Sequence, residues 1–244
     1  IVPEDLSEKS IKELVGAAAE SCEKLQIASV QADVTAAAGL KEPMITVMAS
    51  GESGSLFESE KACADQDIIM AGYTGGYGAA KLTFANEAEL ENHFNSVFLS
   101  PILEADYTGD AISTVKAVET AAAAGVRTMY ACGEGGVYSA VWELTENAGL
   151  GARIQLKKVP LKQETVEICD YFNISPYQLL SVGAVLLTAT HGQKVLAELA
   201  AAGIPAVIIG HLTDDNDRVV LNEEEVRFLE PFRYESLNQA KSES

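Results

Sequence analysis

The chain has 244 residues, 48% of them hydrophobic and 22% charged, the composition of a folded globular protein. Seventeen Lys and Arg stand against 36 Asp and Glu, a net charge of −19 that repels a phosphate backbone and speaks against nucleic acid as a partner. No apolar run has the length of a membrane span, and the first residues are acidic and polar where a secretory leader would be basic and then apolar. No membrane partner is expected, and a reducing cytoplasm fits the four dispersed cysteines, which form no C-x-x-C pair.

In chain order, Leu6, Ile11, Leu14, Val15, Ala18, Cys22 and Leu25 recur at helical spacing and predict a helix over 4–25, capped by Ser7 or Ser10. "IASVQADV" (27–34) and "PMITVMAS" (43–50) read as two strands. The polar, glycine-bearing "GESGSLFESEKACADQD" marks a domain boundary near residue 57. "DIIMAG" (67–72) is a buried strand running into the glycine turn "YTGGYGAAKL", and 86–96 and 109–124 are helical. A strand ending near Tyr130 then meets Cys132, Gly133, Glu134, Gly135 and Gly136 and opens an amphipathic helix. "ARIQLKKVPL" (152–161) is a strand, "KQETVEICDYF" a helix, and "LLSVGAVLLTA" (179–189) a strand interrupted by Gly183. "GQKVLAELAAAG" is a helix and "AVIIGHLT" a strand, which "TDDNDR" turns into "RVVLN" as a hairpin. Few connections alternate cleanly between strand and helix, so an α+β sheet is expected, mixed or antiparallel, with helices on one face.

The glycine turns are the candidate sites. "GYTGGYG" (72–78) lacks the Gly-Lys-Ser/Thr of a P-loop and the last glycine of a dinucleotide fingerprint, and reads as a strand-to-helix turn. Gly133 to Gly136 opens a helix, where unpaired N–H groups and the helix dipole favour an anion. No Lys, Arg, Ser or His completes a phosphate site there, and Glu134 opposes one. The turn therefore reads either as bare structure or as a phosphate contact, live or residual. Asp214, Asp215, Asn216 and Asp217 have no glycine or Glu at the calcium-loop positions and read as a solvated turn. His93, His191 and His211 have no ligand-spaced partner.

Three longer runs carry a resemblance: "VPLKQETVEICDYFNISPYQLLSVGAVLLTA", "LAAAGIPAVIIGHLT" and "RVVLNEEEVRFLEPFRYESL". They resemble the C-terminal domain of the aminoimidazole ribonucleotide synthetase (AIR synthase) superfamily, closest to its hydrogenase-maturation, HypE-type branch. "DIIMAGYTGGYGAAKL" resembles the start of that domain, and the opening helix resembles the last helix of the family's N-terminal domain. The resemblance implies an AIR synthase-like domain over 57–240, preceded over 1–56 by a partial N-terminal α/β segment. It also implies ATP with magnesium as cofactors, and a homodimer formed through N-terminal-domain strands.

Carried over residue by residue, the family's metal-binding turn falls on Gln31, Ala32, Asp33 and Val34, which leaves Asp33 as the one metal-facing and cofactor-facing acid. The family's His-Asp-x-Thr-x-Gly-Gly turn falls on Tyr130 to Gly136, with Ala131 in place of the acid and Gly133 in place of the hydroxyl. Gly133, Gly135 and Gly136 remain as the cofactor-binding candidates, Ser181 and Gly183 as the substrate-binding ones, and no catalytic residue is assigned. The HypE-type cysteine tail has no counterpart in "NQAKSES". The expectation is a degenerate HypE-like protein, non-catalytic alone, acting as a binding or partner subunit in a maturation pathway. Two alternatives stand beside it: an ATP-dependent maturation or phosphorylating enzyme completed by a missing N-terminal segment, and a small-ligand sensor.

Overall fold

The computed structural model describes residues 1–24, 27, 31–48, 50, 60–107 and 109–231. The chain divides into two compact units, Ile1–Ser55 and Leu56–Ser244.

In the first unit, β1 (Val2–Pro3) pairs in parallel with β2 (Ala36–Ala37), and α1 spans Glu8–Lys24. Ser7 caps α1, its Oγ accepting the N–H of Ser10 at 3.1 Å, and Glu8–Lys12 and Lys9–Glu13 pair one turn apart on the exposed side. The two strands expected over 27–34 and 43–50 do not form among the described residues, whereas residues 28–30 and 49 lie outside them. A strand needs a neighbour to take its N–H and C=O groups, and β-propensity alone supplies none. Met44, Ile45, Val47 and Met48 are consequently exposed.

The second unit is built on β3 (Asp67–Ala71), β4 (Thr128–Ala131), β5 (Gly151–Gln155), β6 (Val185–Ala189), β7 (Ala206–Thr213), β8 (Arg218–Asn222) and β9 (Glu225–Phe228). These form a seven-stranded sheet in the order β4-β6-β3-β7-β5-β8-β9, antiparallel except for the parallel pair β5–β8. The helices are α2 (Gly76–Ala85), α3 (Glu87–Leu90), α4 (Ser96–Leu103), α5 (Val115–Ala123), α6 (Gly136–Ala148), α7 (Gln163–Tyr171) and α8 (Gly192–Ala201).

The mixed α+β sheet is as expected, but helices cover both of its faces. Ile68 and Met70 of β3 pack with Val137, Val141 and Leu144 of α6. Their neighbours Ile69 and Ala71 point the other way, onto Ala117 and Ala121 of α5 and Val195 and Leu199 of α8. A third apolar cluster joins α2, α4 and α7 through Ala79, Leu99, Ile102 and Ile168.

The expected β7–β8 hairpin does not form, because β5 inserts between the two strands, and the hairpin is β8–β9 instead. The acidic turn between β7 and β8 closes on itself. Asp215 accepts from Thr213 Oγ1 at 2.8 Å and from the N–H of Asp217 at 2.9 Å, bonds that hold its carboxyl below the ordinary carboxylate value. The strand expected over 152–161 stops at Gln155, where a 3-10 turn, Leu156–Lys158, begins. The strand expected over 179–189 begins only at Val185, because Gly183 at φ +92° turns the chain before it.

Candidate functional site

Two strand–glycine-turn–helix units, β3–α2 and β4–α6, lead onto one shared segment, residues 176–184. In the first turn Gly75 adopts φ +73°, a left-handed conformation that favours glycine. The N–H of Gly75 donates to Ser181 Oγ at 2.7 Å, and Gly78 N–H donates to Leu180 O at 2.9 Å. In the second turn Gly135 and Gly136 adopt φ +75° and +59°. Gly136 N–H donates to Gly133 O at 3.1 Å, and Tyr138 N–H donates to Tyr177 O at 3.3 Å. The third residue of each helix thus gives its N–H to a carbonyl of the same loop.

This bears directly on anion binding. A helix start attracts an oxyanion through N–H groups left without partners. In α6 the groups of Gly136 and Tyr138 already have acceptors, and the carbonyl oxygens of Tyr177 and Leu179 crowd Gly136, a β carbon on which would meet Leu179 O at 2.7 Å and Tyr177 O closer still. Carbonyl oxygens repel the phosphate oxygens they would face. With Ala131 in place of an acid and Glu134 exposed beside the turn, Gly133, Gly135 and Gly136 do not fit a triphosphate with its metal. Among the described residues no three His, Cys, Asp or Glu side chains group to hold a metal ion. Asp33 belongs to the first unit, where it is exposed and accepts Gln31 Nε2 at 3.4 Å.

Ser181 is fully buried. Its hydroxyl donates to Leu179 O at 2.7 Å and accepts from Gly75 N–H, so its 3.0 Å contact with Thr74 Oγ1 has Thr74 as donor. One donor and two acceptor positions are then filled, and nothing of the hydroxyl remains for a ligand. Ser181 N–H donates to Gly133 O at 3.2 Å, so the structure does bring Ser181 and Gly133 together, as a clamp between the two turns. Gly183 separates from them. It packs against Gly72, where an added β carbon would lie 2.7 Å from Gly183 O, and it lines a cleft at the end of β3, beside the segments that lead into β6 and β7.

That cleft has a volume of about 460 Å³. Tyr73, Tyr77, Tyr107, Lys116, Lys162 and Glu164 line it along with Gly183. Sequence reasoning missed it because its walls come from the β3–α2 turn, α5 and the start of α7, which periodicity cannot bring together. The signal present was the pair of tyrosines inside "GYTGGYG". The thiol of Cys132, beside the second turn, is sealed under the sheet, and burial pushes its pKa up to about 12, against a weak opposing hydrogen bond from the Leu186 backbone. A thiol held protonated is no nucleophile.

The family described as AIR synthase related protein, C-terminal domain, matches residues 74–222, more than half of the chain. A hydrogenase expression/formation protein of Methanocaldococcus jannaschii is 22% identical over 230 residues, covering 91% of this chain and 64% of that protein. The chain thus spans a little under two-thirds of that relative's length. In fold, E. coli HypE, a hydrogenase maturation protein, matches with a TM-score of 0.71 at 18% identity over 98% of this chain and 73% of its own. A chain of a HypE–HypF complex matches with a TM-score of 0.69 at 18% identity, covering 95% of this chain and 75% of that one. No described helix is long and apolar enough to cross a membrane. By the match over 74–222, which takes in both helix starts and the loop that braces them, the chain belongs to the AIR synthase related protein family and carries that family's C-terminal domain.

Proposed function

We propose that this chain is a degenerate HypE-like member of the family, cytoplasmic, that does not catalyse ATP-dependent chemistry on its own and works as a binding or partner subunit in a hydrogenase-maturation pathway. The observation that carries this reading is the closed start of α6, where the carbonyls of Tyr177 and Leu179 face the glycines that an oxyanion would approach. Phosphoryl transfer rests on positioned cations and donors, and Ala131 removes the acid that the family pattern places in this turn. Gly133, Gly135 and Gly136 are on this reading a relic of a cofactor site, Ser181 the clamp that holds it shut, and Gly183 the one substrate-binding candidate still on an open cleft. Asp33 remains the one candidate metal-facing acid.

The fold likeness to a HypE–HypF complex supports a protein partner. The exposed Met44, Ile45, Val47 and Met48 support self-association, since apolar side chains gathered on one short segment favour a covering surface. A phosphate-release assay with ATP and magnesium tests the central claim. The expected result is no release above the blank, and release that disappears in Asp33→Ala overturns the reading. Sedimentation at micromolar concentration is expected to give a dimer, and a stable monomer removes the homodimer from the proposal.

A further inference from the structure

We propose that the cleft between the β3–α2 turn, α5 and the start of α7 is a binding site for a small planar aromatic molecule carrying an oxyanion. Its volume of about 460 Å³ lies within the range of small-molecule sites, ~300–1,000 Å³.

The floor is rigid. Gly72 approaches Gly183 so closely that a β carbon on Gly72 would lie 2.7 Å from Gly183 O, while Gly183 packs in turn against Ile112 and is held to glycine by its φ of +92°. The walls are aromatic. Tyr77 and Tyr107 meet edge to face at 6.2 Å between ring centroids, and Tyr73 stands 41% exposed at the rim. Rings in this arrangement offer faces and edges to a flat ligand.

The charges set the ligand's polarity. Lys162 Nζ sits 5.4 Å from the centre of the Tyr73 ring, and Lys116, in the first turn of α5, lines the same cleft. Neither ammonium has a carboxylate partner within ion-pair distance among the described residues. The lining also carries two carboxylates, Asp106 and Glu164, so the two ammonium groups mark where on the cleft an anion is favoured rather than making it positive throughout. Glu164, on the same lining, lies close enough to Tyr107 to add to the rise in its pKa that burial mainly causes, so that side carries negative charge and accepts hydrogen bonds. The oxyanion therefore belongs at Lys116 and Lys162, and any amino or hydroxyl group of the ring belongs at Glu164.

This site is independent of the maturation reading and of the closed α6 start. The test is calorimetric titration of the full chain with phenyl phosphate, which joins a ring to an oxyanion, and with inorganic phosphate. The expected result is saturable binding of phenyl phosphate at about millimolar or tighter, and weaker binding of inorganic phosphate. In Lys116→Gln/Lys162→Gln the affinity falls about tenfold, as two exposed ion pairs allow. Both lysines are exposed, so the variant folds. Tyr73→Ala weakens phenyl phosphate and leaves inorganic phosphate unchanged. No saturable binding, equal affinity for the two probes, or a double-lysine variant that binds like the parent overturns the site.

Discussion

The carbonyl oxygen of Tyr177 lies against Gly136, closer than a β carbon could be placed. Gly136 also adopts φ +59°, so any L side chain there meets both a local and a tertiary penalty. Gly133, three residues earlier, has open space where a β carbon would go and no positive φ. Gly136→Ala is therefore expected to destabilise the protein by about 2–4 kcal/mol, the sum of a left-handed backbone cost and a steric one. Gly133→Ala is expected to be nearly neutral. Urea unfolding of the two variants checks this, and equal losses would mean that Tyr177 gives way.

Ser181 supports the first turn as Tyr177 supports the second. Ser181→Ala leaves Gly75 N–H without its acceptor and Thr74 Oγ1 without its partner, both in a fully buried place. The expected loss is about 1–3 kcal/mol, set by the desolvated groups left unpaired. Removing Thr74 Oγ1 as well, in Thr74→Val/Ser181→Ala, should cost less than the sum of the single changes, with a coupling of about 0.5–2 kcal/mol. Additive losses would show that the two hydroxyls act separately.

Local features were legible in the sequence where one short stretch decides them. Both strand–glycine–helix units stand near their expected places, since the left-handed turn, the apolar strand and the amphipathic helix are each written in adjacent residues. The expectation of helices on one face was not met, although the sequence held a signal against it. "DIIMA" has no polar alternation, as in a strand buried on both sides, so helices on one face could not have sufficed. What the sequence hid is long-range. Nothing in "ARIQLKKVPL" indicates that β5 slides between β7 and β8, and nothing at Ser181 indicates that its hydroxyl is sealed by a turn 106 residues away. Among the described residues of 27–34 and 43–50 no strand forms although the propensity is present: Met44 exchanges backbone hydrogen bonds with Ile1, and no ladder is built on from that pair.

Arg218 ties the end of α6 to β8. Its Nε donates to Thr145 Oγ1 at 2.6 Å, a terminal nitrogen meets Glu146 at 2.7 Å, and the guanidinium lies 4.4 Å from the centre of the Trp142 ring. Its side chain is only 13% exposed, so these contacts are partly shielded from water. Arg218→Met is expected to cost about 1–2 kcal/mol and to shift the emission of Trp142, the one tryptophan of the chain. Arg218→Lys should recover less than half of the loss, because an ammonium cannot stack and fork at once. Unchanged emission and stability in Arg218→Met would show that the cluster adds nothing.

The buried thiols set an alkaline limit on stability. Burial raises Cys132 and Cys169 from an ordinary 9.0 to about 12. Tyr138 rises from 10.0 to about 12, through burial first and the neighbouring Tyr177 second, with Arg227 opposing. All three are acids that the native state keeps protonated. Below pH 9 the folded and unfolded chains both hold the thiol protons, and the contribution of these groups is fully present. As pH climbs from 9 the unfolded chain releases its thiol protons first, so unfolding gains free energy until the folded values near 12 are passed. The slope is about 1.4 kcal/mol per pH unit for each thiol at most. The unfolding midpoint in urea is therefore expected to hold steady up to about pH 9 and to fall between about 9 and 12. Cys132→Ala should flatten the fall by its own share. In the folded protein, a thiol reagent near neutral pH should label exposed Cys63 readily and leave Cys132 and Cys169 until urea is added. Rapid labelling of Cys132 in the native protein, or a midpoint that stays level through pH 12, would mean that the second glycine turn opens to solvent.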